Sequence, residues 1–181
     1  YAFGMAAQSL AKLAHQPIES IQKHPGIVPS LVELAICLAS IPVEPVTSEE
    51  ETNFEFSQGW GSPNVAVDTA EAIMNLCSLG PAVVDKLRGV MESLLKSSIP
   101  AARAQVAQRL HALWNSARPL MWELAEWVAR TESNRAVLRF FAHYFLGHTV
   151  HADSKRVERL LFILHGRDFS RTEEPGQSLR G

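Results

Sequence analysis

Histidine is the first residue type in this chain that invites a chemical reading. His143, His148 and His151 lie close together, Asp153 follows, and His165 comes a little later. Imidazole and carboxylate both bind zinc, which takes about four ligands in tetrahedral array. A His/Asp pair can also move protons, provided the groups converge in a pocket that perturbs their proton affinity. The spacing, however, follows no established zinc pattern, and no cysteine lies nearby. Histidines at a helix C-terminus, where partial negative charge suits them, are the simpler reading. No metal site, catalytic residue or cofactor is therefore expected.

Basic residues offer a second chemistry. Arg135 and Arg139 sit one helical turn apart, Arg156 and Arg159 are similarly spaced, Lys155 adjoins them, and Arg103 lies upstream. Such clusters suit phosphates, since each neutralised phosphate releases counterions. Glu132, Asp153 and Glu158 are interspersed, and no aromatic is clearly placed to stack on a base. A solvated face laced with salt bridges is the competing reading. Trp122 falls off the Leu120–Leu124–Trp127 stripe, so it is expected either at the surface, as an interface anchor, or packed on a following helix pair. Trp114 and Trp127 match the apolar stripes and are expected in the core.

The motifs of several enzyme classes are missing. There is no GxxxxGK[ST] and no GxGxxG after a strand. Neither a GxSxG elbow nor an HExxH helix occurs. A nucleotide-using or hydrolytic domain would lie outside this chain.

The elements that must position these residues are helices. Strand signals are nearly absent, whereas apolar spacing of i, i+3, i+4, i+7 recurs almost throughout. A first helix is predicted over 5–15, ended by Pro17, and a second over 29–40, stopped by Pro42 and Pro45. Ser62-Pro63 reads as the start of a third, bearing Val67, Ala70, Ile73, Met74 and Cys77. Gly80-Pro81 begins the next, which runs to Lys96. Further helices open at Pro100 (through Trp114), at Pro119, at Ser133-Asn134 and at Asp153 or Ser154. The stretch 42–61, IPVEPVTSEEETNFEFSQGWG counted with Ile41, is the least regular part. It combines two prolines, an acidic run at Glu49–Glu51 and the aromatics Phe54, Phe56 and Trp60. It is either a mobile insertion or a short docking segment whose aromatics fill a pocket on this chain or another.

The later helices echo one another. With Pro63 set against Pro100, Ala70 meets Ala107, Ile73 meets Leu110 and Leu76 meets Leu113. With Pro100 set against Asn134, Ala102 meets Ala136, Val106 meets Phe140, Ala107 meets Phe141 and Leu110 meets Tyr144. A helix-pair period in the mid-thirties marks an α-solenoid, whose units bury their apolar faces only by stacking. IPAARAQVAQRLHAL resembles the first helix of a HEAT or armadillo repeat, with proline at the start, Arg103 three residues on, and Ala107, Leu110 and Leu113 behind. SPNVAVDTAEAIMNL carries Ala66 in place of that arginine, and SNRAVLRFFAHYFL lacks both proline and arginine there. More distantly, 59–76 and 118–138 resemble the helical-repeat tails of large bacterial NTPase or defence proteins. The resemblance implies an all-α, HEAT-like α-α superhelix of stacked antiparallel pairs, about eight helices in all. The resemblance covers 62–167, and the residues themselves predict a helix pair over 1–41, the irregular loop 42–61 and a linker-like tail over 168–181. The resemblance further implies a scaffold that binds a protein or positions neighbouring domains, with nucleic acid as the alternative partner.

Composition agrees with a globular chain: of 181 residues, 46% are hydrophobic and 20% charged, which excludes disorder as the general state. No apolar run approaches the roughly 20 residues of a membrane span. Net charge is −2, unevenly spread. Residues 1–96 carry five Lys/Arg against eleven Asp/Glu, giving −6, and 97–181 carry twelve against eight, giving +4. Such a gradient suits a partner-binding face or neighbouring units that attract each other. Cys37 and Cys77, both within apolar helical patterns, read as buried thiols in a reducing, cytoplasmic setting. The start at Tyr1 and the polar tail read as a piece excised from a larger protein.

Overall fold

The computed structural model describes residues 2–24, 26–61 and 63–167. Every regular element among them is helical. They are α1 (Ala2–Ala14), α2 (Ile18–Gln22), α3 (Ile27–Ala39), α4 (Ser48–Ser57), α5 (Val65–Cys77), α6 (Pro81–Leu95), α7 (Pro100–Gln108), α8 (Arg118–Thr131), α9 (Arg135–Phe140), α10 (Gly147–Thr149) and α11 (Ser154–His165). A 3₁₀ turn, Leu110–Leu113, follows α7, and a π-helical stretch, Phe141–Leu146, joins α9 to α10. No helix is long and apolar enough to cross a membrane among these residues.

The starts of these helices follow local chemistry. Pro81, Pro100 and Pro119 each stand in a first turn, where a missing N–H has no helical partner to lose. Asn134 caps α9 by accepting the Ala136 and Val137 N–H groups, and Asp153 caps α11 by accepting that of Arg156. Gly80, at φ 139°, makes the turn into α6 in a conformation other residues rarely adopt. At α5 the expectation is corrected. The helix begins at Val65, with the Asn64 side chain accepting from the Val67 N–H, rather than at Ser62-Pro63; Ser62 itself lies outside the described residues.

Helix α5 is the hub, packed against α1, α3, α6 and α7, and α7 in turn packs against α9. Ala70, Ala72, Ile73, Met74, Leu76 and Cys77 of α5 are all fully buried. Alanines at such positions let helix axes approach closely, and the larger side chains then interdigitate. On the other side, α3 meets α6, and α8 packs on the 3₁₀ turn and on α11.

Four further expectations need correction. The stretch 42–61 is not irregular throughout, because α4 occupies its middle. Thr47 and Glu50 form a reciprocal capping box there, each side chain accepting the other residue's backbone N–H. The single helix expected through Trp114 loses α geometry after Gln108, and the pair expected over 1–41 contains a third, five-residue helix, α2. Finally, Tyr144 does not take the buried place of Leu110. A π-helical turn is wider than an α turn, so Phe141 and Phe145, four apart and both fully buried, hold the core register while Tyr144 is 42% exposed.

Candidate interaction surface

The most elaborate polar arrangement is built where α4 lies across α7 and α9. Its centre is Arg103, on the first turns of α7. Arg103 donates from Nε to Glu132 Oε2 at 2.9 Å and from Nη2 to Glu132 Oε1 at 3.2 Å, a two-pronged pair. Nη1 donates to the carbonyls of Ser97 at 2.8 Å and Ser98 at 3.3 Å, and Nη2 also reaches Glu51 Oε1 of α4. Burial acts to lower the pKa of Arg103. The hydrogen bonds and charge of Glu132, then of Glu51, outweigh it and raise the value above the ordinary one.

Around this centre α4 makes a second set of contacts. Asn134 donates from Nδ2 to the Glu51 carbonyl at 3.2 Å, while its side-chain oxygen still caps α9. The Arg135 backbone N–H donates to Glu55 Oε1 at 2.8 Å, and the Arg139 guanidinium donates to the Glu55 carbonyl. Between these polar attachments Phe54, 3% exposed, meets Trp60 edge-on at 6.2 Å and stacks with Phe140 at 6.4 Å. Glu51, Phe54 and Glu55 stand at i, i+3 and i+4, one face of a helix. Phe56, by contrast, is 81% exposed.

The residues singled out from sequence are thus placed as follows. Arg103 is not a surface cation but a buried one. Arg135 and Arg139 adjoin it through α4. Lys155, Arg156 and Arg159 lie apart, on α11, where Arg156 faces Asp153 at 3.6 Å and Arg159 faces Glu126 at 3.6 Å. Trp122 is buried, the packed rather than the surface placement of the two expected. Its ring meets Trp114 and Phe145 edge-on, and the Arg156 guanidinium sits 5.4 Å above it. Trp114 and Trp127 are partly buried against the core. Cys37 is exposed rather than buried, whereas Cys77 is buried and its thiol pKa is pushed up to about 12 by burial.

The histidines do not gather as a set. His148 donates to the Tyr144 carbonyl and stacks on His111, with ring centres 4.9 Å apart. His143 lies edge-on to Tyr144, and Asp153 is occupied with Arg156. No group of three or more His, Cys, Asp or Glu side chains is placed to hold a metal ion among the described residues. His111 was missed from sequence, since a lone histidine on an apolar helix carries no spacing signal. It lines an open cleft of about 580 Å³ of mixed polar and apolar character, with Gln105, Gln108, Arg109, Phe140 and Tyr144 among its walls. Burial, then the nearby charge of His148, lowers the pKa of His111.

Comparison with known proteins gives no relationship: no family model, no curated protein and no solved structure matches this chain.

Proposed function

We propose that this chain is a non-catalytic interaction module of stacked helix pairs, HEAT-like in arrangement, that holds protein segments and positions other parts of a larger protein. The observation that carries this reading is α4 itself. A ten-residue helix is held across the ends of two others by an aromatic plug and a set of carboxylate and carbonyl contacts. That is the chemistry of segment recognition, carried out within one chain.

The same contacts weigh against the nucleic-acid alternative. A guanidinium already paired in two directions, as at Arg103, gains little from a phosphate and must first give up a buried carboxylate. Lys155, Arg156 and Arg159 form a smaller basic group, interspersed with Asp153, Glu158 and Glu126.

Fluorescence anisotropy with labelled mixed-sequence DNA and RNA, at low and near-physiological salt, separates the readings. The protein-interaction reading expects no salt-sensitive binding. Binding that weakens steeply with salt and disappears in Arg135→Glu/Arg139→Glu or in Lys155→Glu/Arg159→Glu replaces it with the nucleic-acid reading.

A further inference from the structure

We infer that α4 is an exchangeable occupant, and that its seat on α7 and α9 takes a helical segment of a partner protein carrying carboxylate, aromatic and carboxylate side chains at i, i+3 and i+4. The inference rests on the interaction reading above and names the partner's chemistry.

The seat is formed mainly without α4. Glu132 of α8's C-terminal flank holds Arg103 through two hydrogen bonds, and the Ser97 and Ser98 carbonyls hold its other edge. Glu132 is itself fixed by the Asn134 N–H at 2.8 Å. Asn134 keeps its cap on α9 whether or not Glu51 is present. When α4 departs, Arg103 therefore loses one of two carboxylates and is not left as an uncompensated buried charge. A preformed guanidinium with one direction open, together with the Phe140 ring on which Phe54 stacks, suits an incoming acidic and aromatic segment.

The occupant, in turn, is weakly built in. Phe54 is the single buried residue of α4, whereas α5 buries nine of its thirteen. Its neighbours in sequence are non-helical on both sides, over 41–47 and 58–61. With one buried residue and mostly exposed flanks, tied to the core by the partly buried Ile41, Val46 and Trp60, the segment stands at the low end of local stability. Glu51 is about one-third exposed, so its pair with Arg103 is partly open to water and competitors.

The test uses a fluorescein-labelled synthetic peptide of residues 46–60 as the probe in trans. Wild type should bind it weakly, since tethered α4 competes at an effective concentration on the order of millimolar. A Glu51→Ala/Phe54→Ala/Glu55→Ala chain, its own α4 disarmed, should bind it more tightly by about tenfold or more. The same peptide bearing the Phe54→Ala change should lose that binding. A disarmed chain that keeps its helical circular dichroism yet binds no better than wild type overturns the inference. That outcome leaves the interaction reading standing, because the nucleic-acid assay decides it. Should the triple variant fail to fold, hydrogen exchange on wild type decides instead. Excess unlabelled peptide should speed exchange over 50–58 without affecting 66–77, and unchanged exchange there overturns the proposal.

Discussion

Arg103 and Glu132 are the pair on which the local electrostatics turn. Their side chains are 10% and 5% exposed, and each satisfies the other in two hydrogen bonds. Removing one partner of such a pair strands the other's charge out of water, which typically costs about 3–5 kcal/mol. Glu51 differs, because Arg103 keeps Glu132 when Glu51 is lost. Arg103→Ala should therefore lower stability to urea by roughly 3 kcal/mol or more, and Glu51→Ala by about 1 kcal/mol or less. Equal losses in the two variants would show that Glu51, not Glu132, is the principal partner. Glu132 stood in the sequence as one acid among several. Nothing in the spacing of 29 residues tied it to Arg103, since the contact is made by packing α7 against α9, whose preceding link carries Glu132.

At the scale of elements, α4 behaves as a strap rather than as part of the core. Its face of Glu51, Phe54 and Glu55 is turned inward, while Phe56 and the acids Glu49 and Glu50 face water. Truncating a buried phenylalanine commonly costs about 3–5 kcal/mol. Here the loss can be taken locally, by release of one helix. Phe54→Ala should therefore raise hydrogen exchange across 50–58 while protection of α5 and α7 stays close to that of wild type. Uniform loss of protection would make α4 integral to the cooperative unit. The sequence offered this stretch as mobile insertion or docking segment. The helix was legible in part, since Thr47 followed three residues later by Glu50 is a capping box, but without an apolar stripe the periodicity stayed silent.

For the whole molecule, the charge gradient along the chain becomes an internal attraction. Glu51 and Glu71 of the acidic half pair with Arg103 and Arg109 of the basic half. The stacked imidazoles of His111 and His148 join the 3₁₀ turn to α10 and make stability depend on pH. Burial, and then the charge of His148, holds the pKa of His111 below its ordinary value of 6.5. The unfolded chain consequently takes up that proton first. The contribution is complete above about 6.5 and is lost as pH falls through the lowered folded value. Melting temperature should drop between about pH 7 and pH 5, and less steeply in His111→Gln than in wild type. Identical slopes in the two would place the acid sensitivity elsewhere.

The amino-acid order alone determined that this chain is helical and where most helices begin. Proline and the caps Asn134 and Asp153 act through their own backbone geometry, within a turn of the residue concerned. It also determined which faces are apolar, because helical spacing is a local property. Ala70 with Ala107 and Ile73 with Leu110, matched by repeat alignment, are all fully buried. Only the tertiary structure decided which charges meet. Arg103 reaches a carboxylate 29 residues ahead and another 52 behind, separations over which sequence carries no distance information. Tertiary packing likewise buried Trp122, which lay off its helix's main stripe but faces Trp114 and Phe145. It also moved the core register from Tyr144 to Phe145 through one wide turn. A helix's inward face is set by its own period, whereas the partner of a side chain is set by neighbouring helices, and those are chosen by the fold.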